Sequence, residues 1–206
     1  MISFSCSGCV RSFSVPDGFA GRRATCKTCG APVTVPTPAP PAPAVEPPSA
    51  PVPLRIRRLQ ADAVQIAAAF KDSPHIRVRK SEGNPPNAYQ IEYFVRGLQP
   101  GKKDKPTIRE QHLVEVRLTS DYPRRAPHCK VLTPIFHPNI DPTTICVGDH
   151  WTAGERLTAL VIRIGEMIAY QAYNIKSPLD AQAAMWADLH SAEFPVDPRN
   201  LHTAEG

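Results

Sequence analysis

Along residues 54–70, LRIRRLQADAVQIAAAF, apolar positions recur with the period of a helix. Leu59, Ala63, Ile66 and Phe70 fall at i, i+4, i+7 and i+11, which makes one stripe. Ser73-Pro74 predicts where that helix stops, because a proline disfavours helical backbone in the residue before it. The period then drops to two. Strand-like runs cover 75–80, 88–97, 112–119 and 129–132. Ile91, Tyr93 and Val95 alternate with polar neighbours, as do Leu113 or Val114 with Val116 and Leu118. Such alternation predicts an antiparallel sheet with one covered face. The Gly-, Lys- and Pro-containing link over 98–111 is expected to be a long exposed loop. Beyond Leu132, prolines 134, 138 and 142 predict an irregular stretch.

A second helix is predicted over 156–171, with Leu157, Leu160, Val161, Ile164, Met167 and Ile168 on one face. A last helix is expected within PLDAQAAMWADLH, with Ser177 as its N-cap and Pro178 in its first turn. The order of helix, four strands, irregular stretch and two helices makes the fold α+β, an antiparallel meander with helices at its ends and on one face.

Composition adds the domain plan. Proline accounts for 24 of the 206 residues, and nine of those 24 crowd into PTPAPPAPAVEPPSAPVP. Proline fixes φ and removes a backbone donor, so this stretch reads as a polyproline II spacer over 36–53. It separates a small module, 1–35, from a large domain, 54–194, which a tail follows, 195–206. The net charge of +5 is too small to argue for nucleic acid, although Arg11, Arg22, Arg23 and Lys27 make the small module the more basic part per residue. No run approaches the roughly 18 apolar residues that span a bilayer. MISFSCSGCV has no basic start followed by an apolar run, so neither secretion nor a membrane partner is expected, and the location expected is cytoplasmic.

The small module reads as a metal site. Cys6-Ser-Gly-Cys9 and Cys26-Lys-Thr-Cys29-Gly30 are two C-x-x-C pairs at the spacing of a structural zinc ribbon. Each pair is expected to fold as a tight knuckle, with Gly8 and Gly30 supplying permissive backbone. Two knuckles complete a tetrahedral sulfur shell around one Zn²⁺. So short a module cannot bury a self-sufficient core, so the metal is expected to hold it together.

The chemistry concentrates in DYPRRAPHCKVLTPIFHPNIDPTTICVGDHW, residues 121–151. Tyr122-Pro123 is followed by Pro127, then His137-Pro138-Asn139-Ile140, then Ile145-Cys146-Val147, then Trp151 and two helices. In these motifs and in element order, residues 54–192 resemble the ubiquitin-conjugating enzyme (E2) family. The resemblance implies the E2 fold and E2 chemistry. Cys146 would accept a ubiquitin-like modifier as a thioester from an E1-like activating enzyme and pass it to an acceptor amine on a target protein. Asn139 would orient the loop or donate to the developing oxyanion. His137 and Pro138 would hold the turn. Arg55, Arg57 and Arg58, at the helix end least suited to positive charge, would meet the E1-like partner. Asp149 and His150 lie close to Cys146 in sequence and read first as part of a solvated loop, the alternative being that either polarises an incoming amine. Cys129, in a short strand, reads as a small buried apolar residue.

The chain departs from the family pattern in places. Arg124 stands where a Phe usually helps dock E3 ligases, and the segments on either side of Trp151 are altered, so conventional E3 engagement is not expected. The acidic residue that often gates the site just before Pro178 is Ser177, with Asp180 as the alternative. These departures and the fused ribbon point to a bacterial ubiquitin-like pathway, of the kind an antiphage defence operon carries. The competing reading is a non-catalytic E2-like adaptor whose ribbon engages protein or nucleic acid.

Overall fold

A computed structural model describes residues 1–37, 51–102, 105–147 and 151–202. It divides into two compact units, Met1–Pro51 and Val52–Gly206. Most of the expected spacer, at 38–50, lies outside the described residues.

The first unit is two hairpins. β1 (Ile2–Ser5) pairs with β2 (Ser12–Val15), and β3 (Arg23–Thr25) pairs with β4 (Pro32–Thr34), both antiparallel. The core is small, with Cys6, Cys26 and Val33 buried beneath Phe4, Phe13 and Ala31.

The second unit opens with α1 (Leu54–Phe70). Leu59, Ile66 and Phe70 are buried as the stripe requires, each worth about 1.5–3 kcal/mol. The fourth buried position is Asp62 rather than Ala63, which is half-buried. A carboxylate survives there because it is fully bonded. It accepts both Arg58 Nε contacts, at 3.0 and 2.9 Å, and the Tyr122 hydroxyl at 2.6 Å.

The sheet is the predicted meander. β5 (Ile76–Gly83), β6 (Pro86–Tyr93), β9 (His112–Arg117) and β10 (His128–Val131) lie side by side in that order, all antiparallel. Ile91 pairs with Val114 and Tyr89 with Val116, and all four are buried. Val114 rather than Leu113 therefore faces the core. The link between β6 and β9 is not the featureless loop the sequence predicts. It contains a second hairpin, β7 (Gly97–Gln99) with β8 (Thr107–Arg109).

α2 (Leu157–Ile168) buries the face read from its sequence. It approaches the sheet closely at Gly165, where a Cβ would come within 2.7 Å of Leu201 and 3.1 Å of Tyr93. α3 (Ala181–Leu189) starts later than expected. Its N-cap is Asp180, whose side chain accepts from Ala183 N, and Ser177 and Pro178 lie before it. The segment expected to be a tail is tied to the domain through Leu201. That residue is buried in the core, and Asp197 accepts from Arg96 N at 2.8 Å.

Candidate active site and metal centre

The metal centre follows from two knuckles that close alike. Cys6 N donates to Arg11 O and Val10 N to Cys6 O, while Cys26 N donates to Ala31 O and Gly30 N to Cys26 O. In each, the residue after the second cysteine is left-handed, Val10 at φ 61° and Gly30 at φ 74°. Gly30 thus plays the part expected of it. Gly8 serves space instead, since a Cβ there would meet Ala31 Cβ at 2.9 Å and Cys29 Sγ at 3.3 Å. The sulfurs of Cys6, Cys9, Cys26 and Cys29 lie within 4.8 Å of one another, with Cys6–Cys29 and Cys9–Cys26 at 3.7 Å. Zinc–thiolate bonds of about 2.3 Å in a tetrahedron need sulfur–sulfur edges of about 3.8 Å. Backbone N–H groups of Thr28 and Cys29 pull the Cys26 thiol down to about 6. The Ala31 N–H favours the Cys29 thiolate, yet the neighbouring Cys9 sulfur, burial and the other sulfurs outweigh it and push Cys29 up to about 12. Four sulfurs so close cannot all ionise without a cation. The donor set and its geometry fit a structural Zn²⁺.

The candidate active site is built on the His137-Pro138-Asn139 turn. Isolated bridges join His137 to Ile140 and Ile140 to Ile145, and Cys146 N donates to Asn139 O at 2.9 Å. The short connection between Asn139 and Cys146 is therefore closed on itself. Asp141 caps it, its Oδ1 accepting from Thr143 N, Thr143 Oγ1 and Thr144 N. Ile145 N donates to Cys129 O at 2.9 Å, which fixes the loop to β10.

α2 and the chain after it brace the turn from behind. The helix ends in a Schellman pattern, with Tyr170 N donating to Met167 O and Gln171 N to Glu166 O. The left-handed position, usually glycine, is Tyr170 at φ 57°, a conformation that costs an L-residue about 1–2 kcal/mol. It aims the Tyr170 ring at His137, centroids 4.6 Å apart and edge-on, and the hydroxyl at Phe136 O, 2.6 Å away. The Asn139 amide pairs with the backbone of Asn174, Nδ2 donating to its carbonyl at 2.8 Å and Oδ1 accepting its N–H at 2.7 Å. Pro138 O accepts from Leu179 N and Asp180 N. His137 is fully buried, its Nδ1 accepting from Asn139 N at 3.0 Å, and burial pushes its pKa down to about 3. A neutral imidazole so enclosed holds the turn. Cys129 is buried as read from the sequence, its thiol pushed up to about 12 by burial.

Cys146 is half-buried and lines a cleft of about 320 Å³ with Asn139, Arg163, Gln171, Tyr173 and Ser177. Of the two residues proposed as a gate, Ser177 is at this cleft, whereas Asp180 spends its carboxylate on the α3 cap. Asp149 and His150 lie outside the described residues. Sequence reasoning missed Tyr170, Asn174 and Arg163. Arg163 alone left a trace, as a charge inside the apolar run of α2.

The basic turns of α1 divide in use. Arg58 bonds Asp62, Ala153 O, Glu155 O and the Tyr122 hydroxyl, and Arg55 donates to Leu118 O and Thr119 O. Both tie α1 to its own domain. Arg57 is exposed. Trp151 Nε1 donates to Pro123 O at 2.8 Å, while Arg124 is exposed beside it.

Comparisons with known proteins address the family. Residues 66–198 match the family model described as ubiquitin-conjugating enzyme. A curated relative, the SUMO-conjugating enzyme UBC9 of Caenorhabditis elegans, is 34% identical over 103 residues, covering 46% of this chain. The chain spans 60% of that relative's length. A crystal structure of a Plasmodium yoelii protein, provisionally assigned as a ubiquitin conjugating enzyme, superposes with a TM-score of 0.49 at 18% identity, over 69% of this chain and 89% of the other. No helix among the described residues is long and apolar enough to cross a membrane. With the family model matched over most of the larger unit, from within α1 to beyond α3, the chain belongs to the ubiquitin-conjugating enzyme family.

Proposed function

We propose that this chain accepts a ubiquitin-like modifier from an E1-like enzyme as a thioester on Cys146 and transfers it to an acceptor amine on a target protein. The observation that carries this reading is the placement of Cys146. It is half-buried at a cleft and held by its backbone N–H to the Asn139 carbonyl, within a chain of this family. A modifier's flexible C-terminus can enter such a cleft, and a thiol there keeps enough access to water to ionise. Because the Asn139 amide is paired with Asn174, its part is to hold the loop.

Arg57 is the exposed member of the basic set offered to the E1-like partner. The zinc module would select the target or a partner protein. Arg124 in the E3-docking position supports transfer without a conventional E3, and with the fused ribbon it supports a bacterial pathway, such as one serving antiphage defence.

The test supplies wild type and Cys146→Ser with three acyl donors. These are ubiquitin and SUMO, each with its activating enzyme and ATP, and a diglycine thioester that needs no enzyme. The expected result is an adduct on Cys146, mapped by mass spectrometry, that dithiothreitol removes and Cys146→Ser lacks. No such adduct from any donor would leave the adaptor reading in its place.

A further inference from the structure

Arg163 is a cation where the pattern of α2 calls for none. It lies between buried Val161 on one side and buried Ile164 and Gly165 on the other, with half-buried Ile162 directly before it. Its Nη1 pairs with Glu155 Oε1 at 2.9 Å. Its Nε and Nη2 are buried and have no hydrogen-bond partner among the described residues. Buried donors are seldom left so, which gives the residue a reason other than packing. Its position supplies one. Arg163 and Cys146 line the same cleft. The guanidinium charge also acts on the Cys129 thiol in β10, partly opposing the effect of burial there, and the Cys129 carbonyl holds Ile145, the residue before Cys146. The cation and the cysteine thus share one cleft.

Among the described residues that line the cleft, Tyr173 contributes a phenol from the chain after α2, and Glu155 is the counter-charge that Arg163 carries. Asp141 is occupied by its own loop, and His137 lies behind Asn139 as a neutral ring. Asp149 and His150 are outside the described residues.

We propose that Arg163 is a positioning residue whose fixed charge stabilises the thiolate of Cys146, as nucleophile on loading and as leaving group on transfer. The role rests on Cys146 as the acyl carrier. On loading, the thiolate attacks the donor's thioester carbonyl, a new C–S bond forms and the donor's thiolate departs. On transfer, the acceptor amine attacks the same carbonyl and a C–N bond forms. The Cys146 C–S bond then breaks with its electron pair on sulfur, and the amine's proton passes to water. A nearby cation favours sulfur carrying that pair in both steps.

Iodoacetamide reacts with the thiolate and needs no modifier. The zinc-loaded full chain is alkylated across pH 5.5–10, and the peptide bearing Cys146 is quantified by mass spectrometry. Arg163→Gln should move the midpoint up by about 0.5–1 unit and slow alkylation at neutral pH roughly three- to tenfold. Arg163→Lys should retain most of the wild-type rate. Glu155→Gln, which removes the counter-charge, should move the midpoint down. An unmoved midpoint in Arg163→Gln, or an upward move in Glu155→Gln, overturns the proposal. Should Arg163→Gln not fold, the direction of the Glu155→Gln shift decides. Absence of a wild-type thioester would remove the acyl-carrying role of Cys146, whereas unmoved midpoints would remove only that of Arg163.

Discussion

His137 shows how one buried side chain can make the candidate active-site turn depend on pH. Its Nδ1 is an acceptor for the Asn139 N–H, so a proton there would break the bond that shapes the turn. Burial holds His137 near 3 and His112 near 4, whereas both titrate near 6.5 in an unfolded chain. Between those values the unfolded state binds more protons, so stability is full above about 6.5 and falls as pH falls. Two such groups remove up to about 4 kcal/mol between pH 7 and pH 5. Urea unfolding at a series of pH values checks this, and His112→Gln should roughly halve the slope. An unchanged slope would refute the assignment. The residues that could be read from sequence share a property. His137, Pro138, Asn139 and Cys146 lie within ten positions of one another and announce themselves as a local pattern. The residues that hold them were not readable. Asn174 is 35 positions from Asn139, and Tyr170 is 34 from Phe136. Only the folded arrangement of α2 against the turn makes them partners.

Helix α3 is an element whose start is set by a neighbour rather than by its own sequence. Ser177-Pro178 is a sound local start signal, yet Pro138 O takes the N–H groups of Leu179 and Asp180. With those two donors spent on the His137-Pro138-Asn139 turn, the helix begins at Ala181 and Asp180 caps it. Asp180→Ala should cost about 1 kcal/mol of stability, read as a lower urea midpoint, while Ser177→Ala should leave it unchanged. Equal effects would return the cap to Ser177. The same contrast runs through the fold. α1 and the four long strands were legible because their periods persist over several residues and one face is buried. β7 and β8 were not, since three residues each give alternation no room. Asp62 was hidden for another reason. A carboxylate reads as solvated until Arg58 and Tyr122, the latter 60 positions away, are seen to surround it.

At the scale of the whole chain, two units rest on different physics. The larger has a core of buried aliphatic and aromatic residues drawn from α1, the sheet, α2 and the C-terminal segment. The smaller has little apolar material, and its four sulfurs crowd together in a way that demands a cation. Structural zinc in such modules contributes roughly 10–16 kcal/mol of apparent binding free energy. Removing it should therefore unfold residues 1–35 outright and leave the larger unit folded. The expected stoichiometry is about one zinc per chain by elemental analysis, lost in Cys6→Ser and in Cys26→Ser. Under chelation, amide resonances of residues 1–35 should collapse toward random-coil positions while those of the larger unit keep theirs. The midpoint of the main thermal transition should stay where it was. Thioester formation on Cys146 from the diglycine donor should survive chelation too, because that donor engages the cleft alone. If chelation lowered the main transition or slowed that reaction, the two units would be energetically coupled, and the ribbon would be part of the larger unit's fold rather than an independent module.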